Sequence, residues 1–180
     1  MRKKIGLASI FIGICIISAA LYMKYSADSI QKEMIRRFER GIITKYKNLT
    51  MDTIGIMTIG KINLKVAIGE GDDNETLKYS VGHIKGTAMP GEKGNFSVAG
   101  HRSYTYGEYF NRLDELEVGD KIMVKTKKGE YTYKIYDIKV VLPSDVSVLN
   151  KTDDATITLI TCTPIRVATH RLIIKGKLES

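Results

Sequence analysis

Near the C-terminus a run of β-forming residues, Thr158-Leu159-Ile160-Thr161, ends on Cys162-Thr163-Pro164, and the proline cannot continue a hydrogen-bonded ladder. A second β-forming run opens with Arg171-Leu172-Ile173-Ile174. Side chains alternate along a strand, so Thr158, Ile160 and Cys162 share one face while Ile157 and Leu159 share the other. Arg171 and Ile173 likewise share a face. If the second face of each run is core, Cys162 and Arg171 both look into a groove: a sulfur nucleophile beside a fixed cation, a pair suited to attack on a carbonyl group. The only other cysteine, Cys15, lies in an apolar leader, which leaves Cys162 without a partner in the folded domain. A lone thiol in an oxidising exterior is a liability unless it is used.

A thiol must lose its proton to attack, and histidine is the usual agent. Three histidines are present. His101 ends the run Asn95-Phe96-Ser97-Val98-Ala99-Gly100-His101, in which Ser97, Ala99 and His101 share a face of small residues that leaves room for a ligand. That ranks His101 first. His83, at the end of another β-run, and His170, which faces away from Arg171 by alternation, remain open at this point.

From Thr53 onward the chain reads as β. Runs at 53–59, 61–68, 77–82, 96–101, 121–127, 130–141, 156–162 and 171–176 predict eight strands, with turns at Gly60, Pro90-Gly91, Gly119-Asp120 and Lys128-Gly129. The acidic stretch Gly69 to Glu75 reads as a solvated loop. Phe110, Leu113 and Leu116 predict one short helix over Tyr106 to Leu116. Many short strands at this spacing imply an all-β sandwich or closed barrel.

Ile5 to Met23 carries no charge over 19 residues, which as a helix spans about 28 Å, close to a bilayer core. It is read as a retained membrane anchor, with a cleaved signal peptide ending near Ser18-Ala19-Ala20 as the competing reading. The net charge is +8, of which residues 1–4 contribute +3, residues 24–52 another +3 and residues 53–180 only +2. Basicity that flanks an apolar leader points to a lipid surface and not to nucleic acid. The expected order is a cytoplasmic tail at 1–4, an anchor at 5–23, an amphipathic helix and linker at 24–52, and a catalytic domain at 53–180 outside the membrane. In the linker, Asp28 and Gln31 stand at capping-box spacing, Ile30, Met34, Ile35, Phe38 and Ile42 recur at helical intervals, and Gly41 is a candidate stop.

Three segments, Gly94 to Arg102, Pro143 to Leu149 and Thr158 to Arg171, resemble the sortases, transpeptidases that attach proteins to Gram-positive cell walls. The resemblance spans about residues 53 to 178 and implies the eight-stranded sortase β-barrel. It also implies Cys162 as nucleophile, His101 as acid and base, and Arg171 as the cation that steadies the oxyanion or the peptide. Arg166 is a competing cation in the connecting loop. The implied substrates are secreted proteins carrying a C-terminal LPxTG-like sorting signal and an amino group of the peptidoglycan precursor, joined through a thioester without metal or organic cofactor. Ala99, Val148, Leu149, Thr158 and Ile160 are expected to line the groove for the Leu-Pro part of the signal. The absent insertion between Val141 and Thr156, and the Cys162-Thr163-Pro164 and His170-Arg171 sequences, are most similar to class D, with class A next. A surface cysteine peptidase that only hydrolyses, and a non-enzymatic wall-binding module, are the alternatives.

Overall fold

A computed structural model describes residues 2–41, 52–102 and 108–179. Eight strands close a barrel in the order β1-β2-β3-β4-β7-β8-β6-β5, as the sequence implied. They are β1 (Thr53–Ile59), β2 (Leu64–Glu70), β3 (Val81–His83), β4 (Gly94–Ala99), β5 (Lys121–Thr126), β6 (Glu130–Val141), β7 (Ala155–Thr163) and β8 (His170–Leu178). Two pairings are parallel, β2 with β3 and β4 with β7, and the remainder are antiparallel. Closure removes the exposed sheet edges that would otherwise template aggregation.

Alternation fills the interior. Phe96 and Val98 of β4, Ile157 and Leu159 of β7, and Leu172 and Ile174 of β8 all enter one core with Met57, Ile68, Val124 and Tyr133. Ile157 and Leu159 are fully buried, so the opposite face of β7, which carries Cys162, points out of the barrel.

Local chemistry shifts three expected elements. The run at 77–82 is a helix, α2 (Asn74–Tyr79), followed by the three-residue β3. Asp73 causes this by accepting from the backbone N–H groups of Glu75 and Thr76, which makes the supposed solvated loop a helix cap. The second strand begins at Leu64 and not at 61, because Gly60–Ile62 forms a 3-10 turn closed by Asn63 in the left-handed region. The single helix expected at Tyr106 to Leu116 is two 3-10 turns, Glu108–Phe110 and Leu113–Glu115; residues 103–107 lie outside the described residues.

The N-terminal segment is one helix, α1 (Arg2–Glu39), of 38 residues, about 57 Å long at 1.5 Å per residue. The capping signal at Asp28 is therefore overridden, and the helix runs through it. Gly41 takes φ +69, and its N–H bonds to the Phe38 carbonyl, so the expected stop is used. Ile5 to Tyr25 expose their apolar side chains, whereas Ala27, Gln31 and Met34, spaced on one helical face, are buried. They cover the outer surface of β1 and β2, where Ile56 and Ala67 pair across the strands and are also buried. Gln31 donates to the Lys65 carbonyl at 3.4 Å, and Lys65 pairs with Glu39 at 2.8 Å. The exposed part is long and apolar enough to cross a membrane and fits an anchor.

Candidate active site

Strand register assembles the three polar groups. In the β7–β8 ladder Cys162 stands directly opposite Arg171, and Thr163 opposite His170. Opposed residues of an antiparallel pair share a face, with Cβ atoms about 4.5–5.5 Å apart. The thiol and the guanidinium thus start from adjacent positions on the outer surface, each half-buried. Arg171 is steadied by its own turn, as its Nη1 donates to the Ala168 carbonyl at 3.2 Å and the His170 carbonyl at 3.1 Å. Both bonds use Nη1, so among the described residues Nε and Nη2 are open to an incoming oxygen acceptor. Arg166, the competing cation, is exposed in the 164–169 loop at φ +72 and stands outside this ladder.

The third group arrives on β4. Its parallel register with β7 runs to Ala99↔Ile160 and continues beyond the strand: Gly100 donates its N–H to the Ile160 carbonyl at 3.1 Å, and the Thr161 hydroxyl donates to the Gly100 carbonyl at 2.8 Å. The strand expected over 96–101 thus ends at Ala99, and its register, continued two residues past that end, brings His101 toward the row that Cys162 and Arg171 form across β7 and β8, at the same end of the barrel. Gly100 is required here because a Cβ would meet the Phe110 ring at 2.5 Å, and Phe110 in turn donates its N–H to the His101 carbonyl. His101 is half-buried, and that burial holds its pKa below the ordinary 6.5, so the neutral imidazole prevails at pH 7.

Arg102, next to His101, makes contacts that residue spacing did not reveal. Its Nη1 donates to the Thr163 hydroxyl at 3.0 Å, its Nε to the Asn111 carbonyl at 3.2 Å, and its Nη2 pairs with Asp114 at 2.6 Å. With its side chain only 5% exposed, it ties the end of β4 to the residue after the cysteine. The signal was present, since alternation places a cation beside His101 but on the opposite face.

The residues expected to line the groove separate into two kinds. Ala99, Ile160 and Leu149 are half-buried and present surface. Thr158 is 1% exposed and donates its hydroxyl to Asn95 Oδ1 at 2.7 Å, and Val148 is buried, so these two offer little surface. Asn95 Nδ2 donates to the carbonyls of Val148 and Asn150, so Thr158 and Asn95 together clamp the turn Val146–Leu149 over β7. Asp145 starts that turn by accepting from the Ser147 N–H. Beside it, Asn95, Leu149, Thr87 and Ala88 line a cleft of about 270 Å³.

His83 is buried, with Nδ1 2.8 Å from Glu70 and Nε2 3.0 Å from the Thr87 hydroxyl, and it packs on Phe96. Both ring nitrogens are engaged in joining β2, β3 and the following loop, which suits a structural histidine. His170 pairs with Thr163, on the face opposite Arg171. Among the described residues no group of three or more His, Cys, Asp or Glu side chains converges as a metal site would require.

A half-buried thiol, an imidazole and a guanidinium at one end of a closed barrel are groups of the kind that thiol-dependent acyl transfer uses. The model of the Sortase domain family matches residues 57–179. Sortase D of Bacillus subtilis (strain 168) is 36% identical over 136 residues, covering 73% of this chain and 67% of that protein. Sortase SrtE1 of Streptomyces coelicolor is 39% identical over 139 residues, covering 68% of this chain but 39% of its own length. Among solved structures, a Clostridium perfringens Sortase D5 transpeptidase superposes with a TM-score of 0.71 at 37% identity, over 86% of this chain and 99% of that one. The chain belongs to the sortase family, whose members are cysteine transpeptidases.

Proposed function

We propose that this chain cleaves an LPxTG-like sorting signal between Thr and Gly and transfers the secreted protein to an amino group of the peptidoglycan precursor. The approach of His101 to the row of Cys162 and Arg171 is the observation that carries the reading. In it Cys162 attacks the Thr carbonyl as thiolate, and the negative charge that develops on oxygen falls beside Arg171, where a guanidinium is worth most during the transition state. The proton that His101 takes from the Cys162 thiol as the thiolate attacks passes from the imidazolium so formed to the departing Gly amine, leaving a thioester on Cys162 and a neutral imidazole. An incoming amine then attacks the thioester carbon, His101 takes its proton, and the C–S electron pair returns to sulfur. The proton then passes from the imidazolium to sulfur, and the thiol and neutral imidazole are restored. Water attacking the same thioester is the competing hydrolysis.

Ala99, Ile160 and Leu149 supply the apolar surface for the Leu-Pro part of the signal, and Val148 and Thr158 hold that surface in place. Similarity to Sortase D and to the Sortase D5 transpeptidase supports a class D assignment, ahead of class A. The apolar helix supports an anchored enzyme with residues 1–4 inside, 5–23 in the bilayer, 24–52 as a docked stalk and 53–180 outside. The test is product analysis with a library of sorting-signal peptides, with and without added amine. Cleavage that turns from acid to amide product as amine is added is expected; hydrolysis unaltered by every amine would leave a peptidase instead.

A further inference from the structure

The cleft of about 270 Å³ beside the Val146–Leu149 turn continues the groove assigned to the Leu-Pro part of the signal. Leu149 belongs to both, and Asn95 stands on the same outer face of β4 as Ala99. Strand register gives the distance from the cleft to the thiol. Asn95 stands level with Thr156, and Cys162 is six residues further along β7, about 20 Å at 3.3 Å per residue. An extended peptide whose Thr carbonyl is at Cys162 has its Leu three residues back, about 10 Å away. The remaining distance brings the second and third residues before Leu to the cleft.

The charges around the cleft favour one chemistry. Lys93, on the loop before β4, and Lys151, just after the Val146–Leu149 turn, both line it, and both are exposed with no ion partner among the described residues. Glu92, the carboxylate in the same lining, faces Lys128 at 3.6 Å. Asp153 and Asp154 stay outside the lining, and Asp154 pairs with Lys177 at 2.6 Å. The Lys151 stem lies across Gly94, where a Cβ would come within 3.7 Å of Lys151 Cγ and 3.0 Å of the Ala88 Cβ. Glycine at φ +125 therefore keeps the lysine close over the cleft. Two cations on different loops, with the neighbouring carboxylates engaged elsewhere, suit a small anionic group.

We propose that this cleft is a subsite for the client chain upstream of the sorting signal, and that Lys93 and Lys151 select an acidic side chain two or three residues before its Leu. The inference rests on the transpeptidase reading above and on the groove along β4 and β7. It adds a choice among clients that the Leu-Pro pair, common to all of them, cannot make. The lysines are far from the sulfur, so they act on binding of the donor: KM changes and kcat does not.

The test uses the full chain in uncharged detergent micelles and three fluorogenic sorting-signal peptides that carry Asp, Ser or Lys at both the second and third positions before Leu. At low salt kcat/KM should fall about tenfold from the Asp to the Lys peptide, since each exposed pair is worth a factor of up to about five and the Lys peptide is repelled. The difference should sit in KM. It should shrink to within about twofold when salt rises from about 0.01 M to about 1 M, which shortens the screening length from about 30 Å to about 3 Å. Lys93→Glu combined with Lys151→Glu should invert the order, and faster cleavage of the Lys peptide also shows that this variant is folded. Lys93→Gln and Lys151→Gln should each lower the preference about twofold. Lys134→Glu, on β6, is the control that keeps the order. Equal kcat/KM for the three peptides on the unaltered chain, or an Asp preference that survives both glutamine variants and high salt, would overturn this inference alone. Failure of the unaltered chain to cleave any sorting peptide would overturn the transpeptidase reading with it.

Discussion

Cys162 and Arg171 could be paired on paper because a period of two residues fixes which side chains share a face, and the ladder between β7 and β8 sets them opposite one another. This predicts unequal cations: Arg171→Ala should lower kcat/KM by about 10²–10³, the range for loss of one oxyanion donor, while Arg166→Ala changes it by less than about threefold. Comparable losses in a steady-state peptide assay would mean that the wrong arginine was chosen. His101 carries a second prediction. Amine attack needs the neutral imidazole, and burial favours that form, so the acid limb of the transfer rate should fall below pH 6.5. By linkage, folding binds this proton less readily than the unfolded chain does, so its contribution to stability is lost as pH falls from 6.5 through the lowered value. A limb above 6.5 in the pH–rate profile would contradict the burial argument. What could not be read at this scale was what Arg102 holds, because its partners Thr163, Asn111 and Asp114 meet only through tertiary packing. Arg102→Met should destabilise by about 2–3 kcal/mol in chemical denaturation and lower kcat more than it raises KM, since it frees the end of β7.

Strands were legible because most of them are long and obey alternation, whereas α2 was hidden by competition between two local signals. The sequence Leu77-Lys78-Tyr79-Ser80-Val81-Gly82 has the look of a strand, but Asp73 caps a helix that starts at Asn74 and uses up most of it. The long helix was missed for a related reason: a capping box at Asp28 is a weak local preference, and docking of Ala27, Gln31 and Met34 on β1 and β2 overrides it. Thr158 shows the limit of the face rule, which says where a side chain points but not whether another element covers it. Its role as a clamp is testable. Thr158→Val leaves Asn95 Oδ1 buried without a donor and should cost about 1–3 kcal/mol, with a raised KM for the sorting peptide as the Val146–Leu149 turn loosens. Unaltered stability and KM would restore Thr158 to a simple packing position.

At the scale of the molecule, a closed barrel holds a row of reactive groups on its outer surface while a single helix joins that barrel to an apolar segment fit for a bilayer. The proposed function requires one covalent event at one atom, the sulfur of Cys162. The most direct measurement is intact-mass analysis of the full chain mixed with a sorting-signal peptide and quenched in acid before turnover is complete. The account predicts an adduct equal to the peptide's N-terminal fragment up to Thr, mapped to Cys162, discharged by added amine and absent in Cys162→Ala. Peptide cleavage that persists in Cys162→Ala, or an acyl group mapped to any other residue, would contradict it.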